Sequence, residues 1–193
     1  MNKQQFISQF QHLRTIIPEH DFPLREAGRP AAVLIPIIEH ADELRVLFTV
    51  RASHLKHHGG QISFPGGKQE IHDTDLICTA LRETQEEIGI QANQVEIVGK
   101  LPAYRTISRY EVVPYIGFVS PAMSLQLDAN EVAETFEVPL TYLLDQNNHL
   151  IHWVSRKNNQ YPIYFIPWQN KNIWGATAAF VRNLSNHFNA ALR

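Results

Sequence analysis

The sequence predicts an α/β fold in which a mixed β-sheet lies between layers of helix. Runs rich in branched apolar residues at 31–38, 44–50, 94–101 and 110–119 read as strands. Segments 74–88 and 174–192 carry apolar residues at helical spacing. The two kinds of segment are interspersed along the chain, which calls for one sheet covered on both faces. Element order alone fits several α/β folds, so function has to be read from a site.

The elements follow in order. Phe6, Ile7, Phe10 and Leu13 predict a helix over 3–14, and Pro18, Pro23 and Pro30 mark a linker, so residues 1–29 precede the core. The polar stretch 40–43 joins the first two strands as a hairpin. Residues 54–60 read as a loop, 61–64 as a short strand, and Pro65-Gly66-Gly67 forces a turn. Asp73 or Thr74 caps the next helix, Leu76, Ile77, Ala80, Leu81, Thr84 and Ile88 share its apolar face, and Gly89 provides a left-handed C-terminal cap. Pro114 interrupts the strand at 110–119, which is therefore expected to be bulged or at an edge. A loop over 120–131, a short helix at best over 140–144, a strand pair 151–156 and 161–167 joined by 157–160, and the closing helix complete the chain. No internal repeat is visible.

Composition narrows the class of partner. With 193 residues, 44% of them hydrophobic, the chain is expected to form a single domain over 1–193. Its 17 basic and 19 acidic residues leave a formal net charge of -2, so no overall positive field would hold it on nucleic acid or an anionic membrane. No apolar run approaches the ~20 residues of a spanning helix. Gln4, Gln5, Gln9 and Gln11 are unlike a signal peptide, and the lone Cys78 offers neither an intrachain disulfide nor a thiolate metal site, so a cytoplasmic setting is expected. Oligomeric state stays open, a homodimer included.

The segment with chemical content is Arg82-Glu83-Thr84-Gln85-Glu86-Glu87-Ile88-Gly89. Glu83, Glu86 and Glu87 stand at i, i+3 and i+4 and are expected on the polar side of the helix, away from Leu81 and Ile88. Such a run alone is more often a solvated acidic face. Here it follows Phe64-Pro65-Gly66-Gly67, where backbone amides can approach a phosphate, and three carboxylates suit a hard divalent cation.

This arrangement resembles the Nudix hydrolase signature, which spans about residues 66–90. Arg82, Glu83, Glu86, Glu87 and Gly89 match directly. Asp73 stands for the usual glutamate, Thr84 for an aliphatic residue, and the stretch before Arg82 is one residue longer than the common form. Leu47-Phe48-Thr49-Val50-Arg51-Ala52, with Leu55-Lys56, Gly60-Gln61 and Phe64 to Gly67, resembles the further motif of the coenzyme A diphosphatase branch, with Ala52 and Lys56 where serine and arginine are usual. Glu131-Val132, Phe136 to Leu140, Trp174-Gly175, Thr177 and Ala178 are similar to later landmarks of that branch.

The resemblance implies a Nudix α/β/α sandwich and hydrolysis of the diphosphate bridge of coenzyme A or its thioesters. It also implies Mg2+ or Mn2+ held by Glu83 and Glu87 with Glu86, and Arg82 orienting a glutamate. Other Nudix substrates, such as ADP-ribose, NADH or a dinucleoside polyphosphate, remain open, as does a ligand-sensing module without catalysis. The intact glutamates argue against the last. Glu131 is the first candidate for the general base and Glu134 a weaker one. Gly66 and Gly67 are candidate phosphate contacts. Arg51 and Lys56 either read the 3'-phosphate of coenzyme A or are solvated loop charges. His54, His57 and His58 lack a matching ligand cluster for zinc, and Tyr104, Tyr110 and Trp174 either stack on substrate or belong to the core.

Overall fold

Strand β1 (Arg29–Glu39) organises the fold because it is apolar on both sides. Ala31, Ile35 and Ile37 pack with Phe6, Phe10, Phe180 and Leu184, whereas Ala32 and Leu34 pack with Ala80 and Tyr115. A strand of this kind has to be covered on both faces. The computed structural model describes residues 1–12, 18–19, 28–156 and 159–189. In it α1 (Lys3–Gln11) and α4 (Gly175–Asn189) cover one face, and α2 (Leu76–Ile88) covers the other. The sheet is mixed, as expected: β1 runs parallel to β7 (Tyr110–Val119) and antiparallel to β2 (Leu44–Arg51).

The hairpin partners β1 and β2 pair only through Ile37 to Glu39 and Leu44 to Val46. Beyond that they part, and two short strands occupy the split. β3 (Ile62–Ser63) pairs with β2 at Thr49 and Val50, and β4 (Gly66–Lys68) pairs with β1 at Ala31 to Val33. The opposite edge of β2 carries β8 (Val132–Pro139), while β5 (Val95–Lys100) and β6 (Tyr104–Arg105) share the outer edge of β7. After α3 (Leu140–Leu144), a second antiparallel sheet is built from β9 (Leu150–Arg156), β10 (Asn159–Trp168) and β11 (Lys171–Trp174). Its Tyr164, Ile166 and Ile173 join the main core.

Several expectations are corrected. Asp75 caps α2, accepting from the Cys78 N–H at 2.8 Å, while Asp73 is engaged by Arg82 and Thr79 and the Thr74 hydroxyl meets Cys78 Sγ. Pro65 bends the chain, but Gly66 and Gly67 continue as strand β4 instead of forming the turn. Pro114 is neither bulged nor at an edge. It pairs with Val33 in the interior of the sheet and sits on the β5 side where β5 has ended at Tyr115 and β6 begins at Val112, so its missing N–H breaks no ladder bond there. Strands β6, β8 and β11 were not expected, and Trp174 ends β11 instead of opening the last helix. Gly89 adopts the left-handed conformation foreseen for it, with φ 78°. Leu13, Pro23, residues 157–158 and 190–192 lie outside the described residues. Among the described residues no helix is long and apolar enough to cross a membrane.

Candidate active site

The site lies where α2 crosses β4. Thr79, Ala80, Thr84 and Ile88 bury the inner face of α2, and Glu87 is buried with them at 2% exposure. The expectation that all three glutamates lie on a polar face holds for the half-exposed Glu86 and fails for Glu87. Arg51 from β2 and the loop at 126–128 close over Glu87, and the strand opposite makes room for Glu83. Gly67 has no side chain, and a Cβ there would collide with the Glu83 carboxylate, while one on Gly66 (φ 153°) would strike the Ala32 carbonyl and Val33. Gly66 therefore lets β4 lie close against β1, and Gly67 leaves the space between strand and helix to the Glu83 carboxylate.

Enclosure sets the electrostatics. Glu87 Oε1 lies 3.5 Å from Arg51 Nη1, and Oε2 is buried without a hydrogen-bond partner. Burial pushes the Glu87 carboxyl up to about 8, Arg51 and the Gly66 N–H oppose that, and the charges of Glu83 and Glu131 add to it. Glu83 is raised as well, again by burial, against the pull of Arg82. Arg82 Nη1 lies 3.0 Å from Glu83 Oε1 and 2.8 Å from Glu86 Oε2. Its Nε and Nη2 donate to Asp73 at 3.0 and 3.1 Å, and Nη2 also to the Lys68 carbonyl at 3.2 Å. Asp73 accepts further from Thr79 Oγ1 and the Glu70 N–H, and the Arg82 guanidinium holds its carboxyl well below the usual range.

Glu131 arrives from a separate part of the chain. The loop after β7 docks on the C-terminal end of α2, with the Gln126 N–H donating to the Ile88 carbonyl and the Asp128 N–H to that of Glu87, both at 3.0 Å. The Glu131 carbonyl accepts from the Ala52 N–H at 2.8 Å, which ties it to the end of β2. Its half-buried side chain is near enough for its charge to act on both Glu83 and Glu87. Glu134, the other candidate, pairs instead with Lys171 at 2.9 Å. Arg51, Gly66, Gly67, Arg82, Glu83, Glu86, Glu87 and Glu131 thus converge, and Lys56 stands exposed in the loop that follows β2.

His54, His57 and His58 are exposed in that same loop, Tyr104 and Tyr110 pack against the core, and the half-exposed Trp174 stacks on Phe165. Sequence reasoning did not foresee the link between Asp73 and Arg82 or that between Arg51 and Glu87. Neither follows a helical or strand spacing, so neither leaves a local signal.

Among the described residues no three His, Cys, Asp or Glu side chains form a preassembled metal cage. Arg82 occupies oxygens of Glu83 and Glu86. The donor set nonetheless fits a hard divalent cation: it is all oxygen, and the buried Glu87 Oε2 is an acceptor with nothing to accept.

Comparison with known proteins agrees with this reading of the fold. The NUDIX domain model matches residues 28–158. A Nudix hydrolase NudL of Photorhabdus laumondii is 37% identical over 180 residues, covering 93% of this chain and 94% of that protein. One of Yersinia pestis is 38% identical over 185 residues, covering 94% and 92%. Among solved structures, an Ap4A hydrolase of C. elegans has a TM-score of 0.50 at 20% identity, over 57% of this chain and 80% of that one. A MutT/nudix family protein of Enterococcus faecalis has a TM-score of 0.51 at 15% identity, over 100% and 70%. The chain belongs to the Nudix family. It is a hydrolase of phosphorus-containing anhydrides, and enzymes of this family generally use divalent cations such as Mg2+ or Mn2+.

Proposed function

We propose that the chain, acting as one domain, hydrolyses the diphosphate bridge of coenzyme A or its thioesters, giving adenosine 3',5'-bisphosphate and the matching 4'-phosphopantetheine. The observation that carries the hydrolytic site is the enclosed pair Glu83 and Glu87 against the bare backbone of Gly66 and Gly67, with one buried oxygen unpartnered. Glu83 and Glu87 hold Mg2+ or Mn2+, and Glu86 completes the set. The bound cation supplies charge neutralisation and Lewis acidity at the diphosphate. Arg82 is a positioning residue for Glu83 and Glu86, and the Gly66–Gly67 backbone gives the substrate close access to the helix. Glu131 takes the proton of the attacking water, a role supported by its half-buried place beside Glu83 and Glu87.

Support for coenzyme A comes from the motif between Arg51 and Gly67. Arg51 is drawn to Glu87, which leaves the exposed Lys56 as the better reader of the 3'-phosphate. That same pairing favours a second reading, a Nudix hydrolase of broader nucleoside diphosphate preference. The setting proposed for either is the cytoplasm.

A substrate panel of coenzyme A, dephospho-coenzyme A, ADP-ribose and NADH, each with Mg2+ and Mn2+, separates the two. A charge-assisted contact of about 1.5 to 3 kcal/mol gives coenzyme A a roughly ten- to hundredfold higher kcat/KM than its dephospho form, and Lys56→Ala shrinks the gap. Equal kcat/KM for the two at low salt makes the broader reading the correct one. Glu131→Gln is expected to depress kcat far more than metal affinity.

A further inference from the structure

Among the described residues, the β9–β10–β11 sheet ends in an edge that no strand covers. In the order β11-β10-β9, strand β9 has β10 on one side and no other described strand on the other. It displays Leu150 at 55%, Ile151 at 43%, Trp153 at 54% and Val154 at 37% exposure. Sheet edges are ordinarily protected by lysine, proline, a bulge or a short strand. Residues 150–155 include no lysine and no proline, and β9 pairs with β10 in unbroken register over seven residues.

We propose that two copies of this chain associate through β9, which pairs antiparallel with its own symmetry mate about a two-fold axis through His152. The sequence Leu150-Ile151-His152-Trp153-Val154 is a palindrome of apolar character about that residue. In this register Leu150 faces Val154 of the partner subunit and Ile151 faces Trp153 of the partner subunit, so apolar meets apolar on both sides of the joined sheet. Such an isologous contact needs only that the surface complement itself.

Charge points the same way. Between Leu150 and Ser155 only His152 is ionisable, and Arg156 at the end of β9 falls outside the five residues that pair about the axis, so two copies meet without repulsion. The four side chains expose on the order of 400 Å² per chain, of which a strand added in the plane of the sheet covers the flanks and leaves the outward faces open. The contact is therefore of the small class, below about 1,200 Å², held chiefly by the backbone ladder.

Sedimentation equilibrium of the full chain tests the assignment. The wild type is expected to be dimeric at micromolar concentration. Ile151→Lys, which symmetry presents twice, is expected to weaken the dimer by roughly 100-fold, about 10-fold per site. The double variant Ile151→Lys/Trp153→Glu sets opposite charges against each other across the axis and is expected to recover most of the association. Both positions are exposed, so the far-UV circular dichroism should stay near that of the wild type. A wild type still monomeric at about 100 μM, a dimer indifferent to Ile151→Lys, or a double variant that associates no better than the single one overturns the proposal. So does association that survives Ile151→Lys but is lost in Trp174→Asp, since it places the copies face to face instead of edge to edge.

Discussion

Arg82 grips Asp73 at two points, with Nε 3.0 Å from Oδ1 and Nη2 3.1 Å from Oδ2, and thereby fastens the loop before α2 to the middle of that helix. The same guanidinium reaches Glu83 and Glu86, so the loop, the strand carbonyl of Lys68 and two carboxylates share one cation. Asp73→Ala is expected to lower stability by about 2 kcal/mol, the loss of charged hydrogen bonds at a mostly buried acceptor. It should also reduce kcat, because Arg82 is then free to collapse onto the glutamates. Arg82→Lys cannot restore the fork and should behave much the same. Thermal melts together with kcat at saturating metal check this, and unchanged kcat in both variants would remove the positioning role.

Glu87 separates stability from activity. Its carboxylate is buried, one oxygen is unpartnered, and burial already disfavours its charge. Glu87→Gln removes that charge at almost constant volume, so the melting temperature of the metal-free protein is expected to stay level or rise. Turnover should nevertheless fall by orders of magnitude, because the charge the bound cation needs has gone. Glu83→Gln should lose turnover similarly. Near-wild-type kcat in either variant at saturating metal excludes that residue as an essential ligand.

The two glycines of β4 are expected to fail differently. At Gly67 an added methyl meets the end of the Glu83 side chain, which can swing away. Gly67→Ala should therefore fold with little loss of stability while kcat drops at least tenfold through displacement of the carboxylate. At Gly66 the methyl meets backbone of Ala32 and Val33, and φ is unfavourable for a side chain. Gly66→Ala should lose folded yield itself, by an expected several kcal/mol. Equal soluble yield and melting temperature for the two variants would contradict this division.

How much of this was legible in the sequence depended on range. The α2 boundaries, the Gly89 cap and the apolar strands follow from local periodicity and turn chemistry, and they agree with the structure to within two residues for α2. Strand β8 was missed because Glu134 interrupts the apolar face formed by Val132, Phe136 and Val138, which leaves too short an alternation to read as a strand. Its pairing with β2 from Arg45 to Arg51 supplies what local pattern does not. The burial of Glu87 was illegible for a related reason. Helical spacing gives the direction of a side chain, but whether that direction meets solvent depends on what packs there, here Arg51 of β2 and the loop at 126–128 that docks on the end of α2.

A second buried polar cluster governs acid stability. The Glu19 carboxylate accepts from Tyr164 Oη at 2.5 Å, Asn186 Nδ2 at 2.8 Å and Arg182 Nε at 3.0 Å, so that β10 and α4 meet at one group. Burial pushes its carboxyl up, and those bonds together with the Arg182 charge more than offset that, leaving it below its ordinary value of 4.5. Nearby, His149 is held below its ordinary 6.5, chiefly by burial, with Arg182 Nη1 3.4 Å from its Nδ1. Both groups bind protons more readily in the unfolded chain, so the stability each contributes is present at neutral pH and is lost on acidification. The His149 contribution begins to fall as pH drops through about 6.5, and the Glu19 contribution as it drops through about 4.5. Denaturant titrations at a series of pH values should show two successive declines. Glu19→Gln is expected to be less stable than the wild type at pH 7, with the difference narrowing below pH 4.5 as the wild-type carboxyl protonates. A gap between the two proteins that stays constant from pH 7 to the acid transition would show that the ionised Glu19 is not what joins β10 to α4.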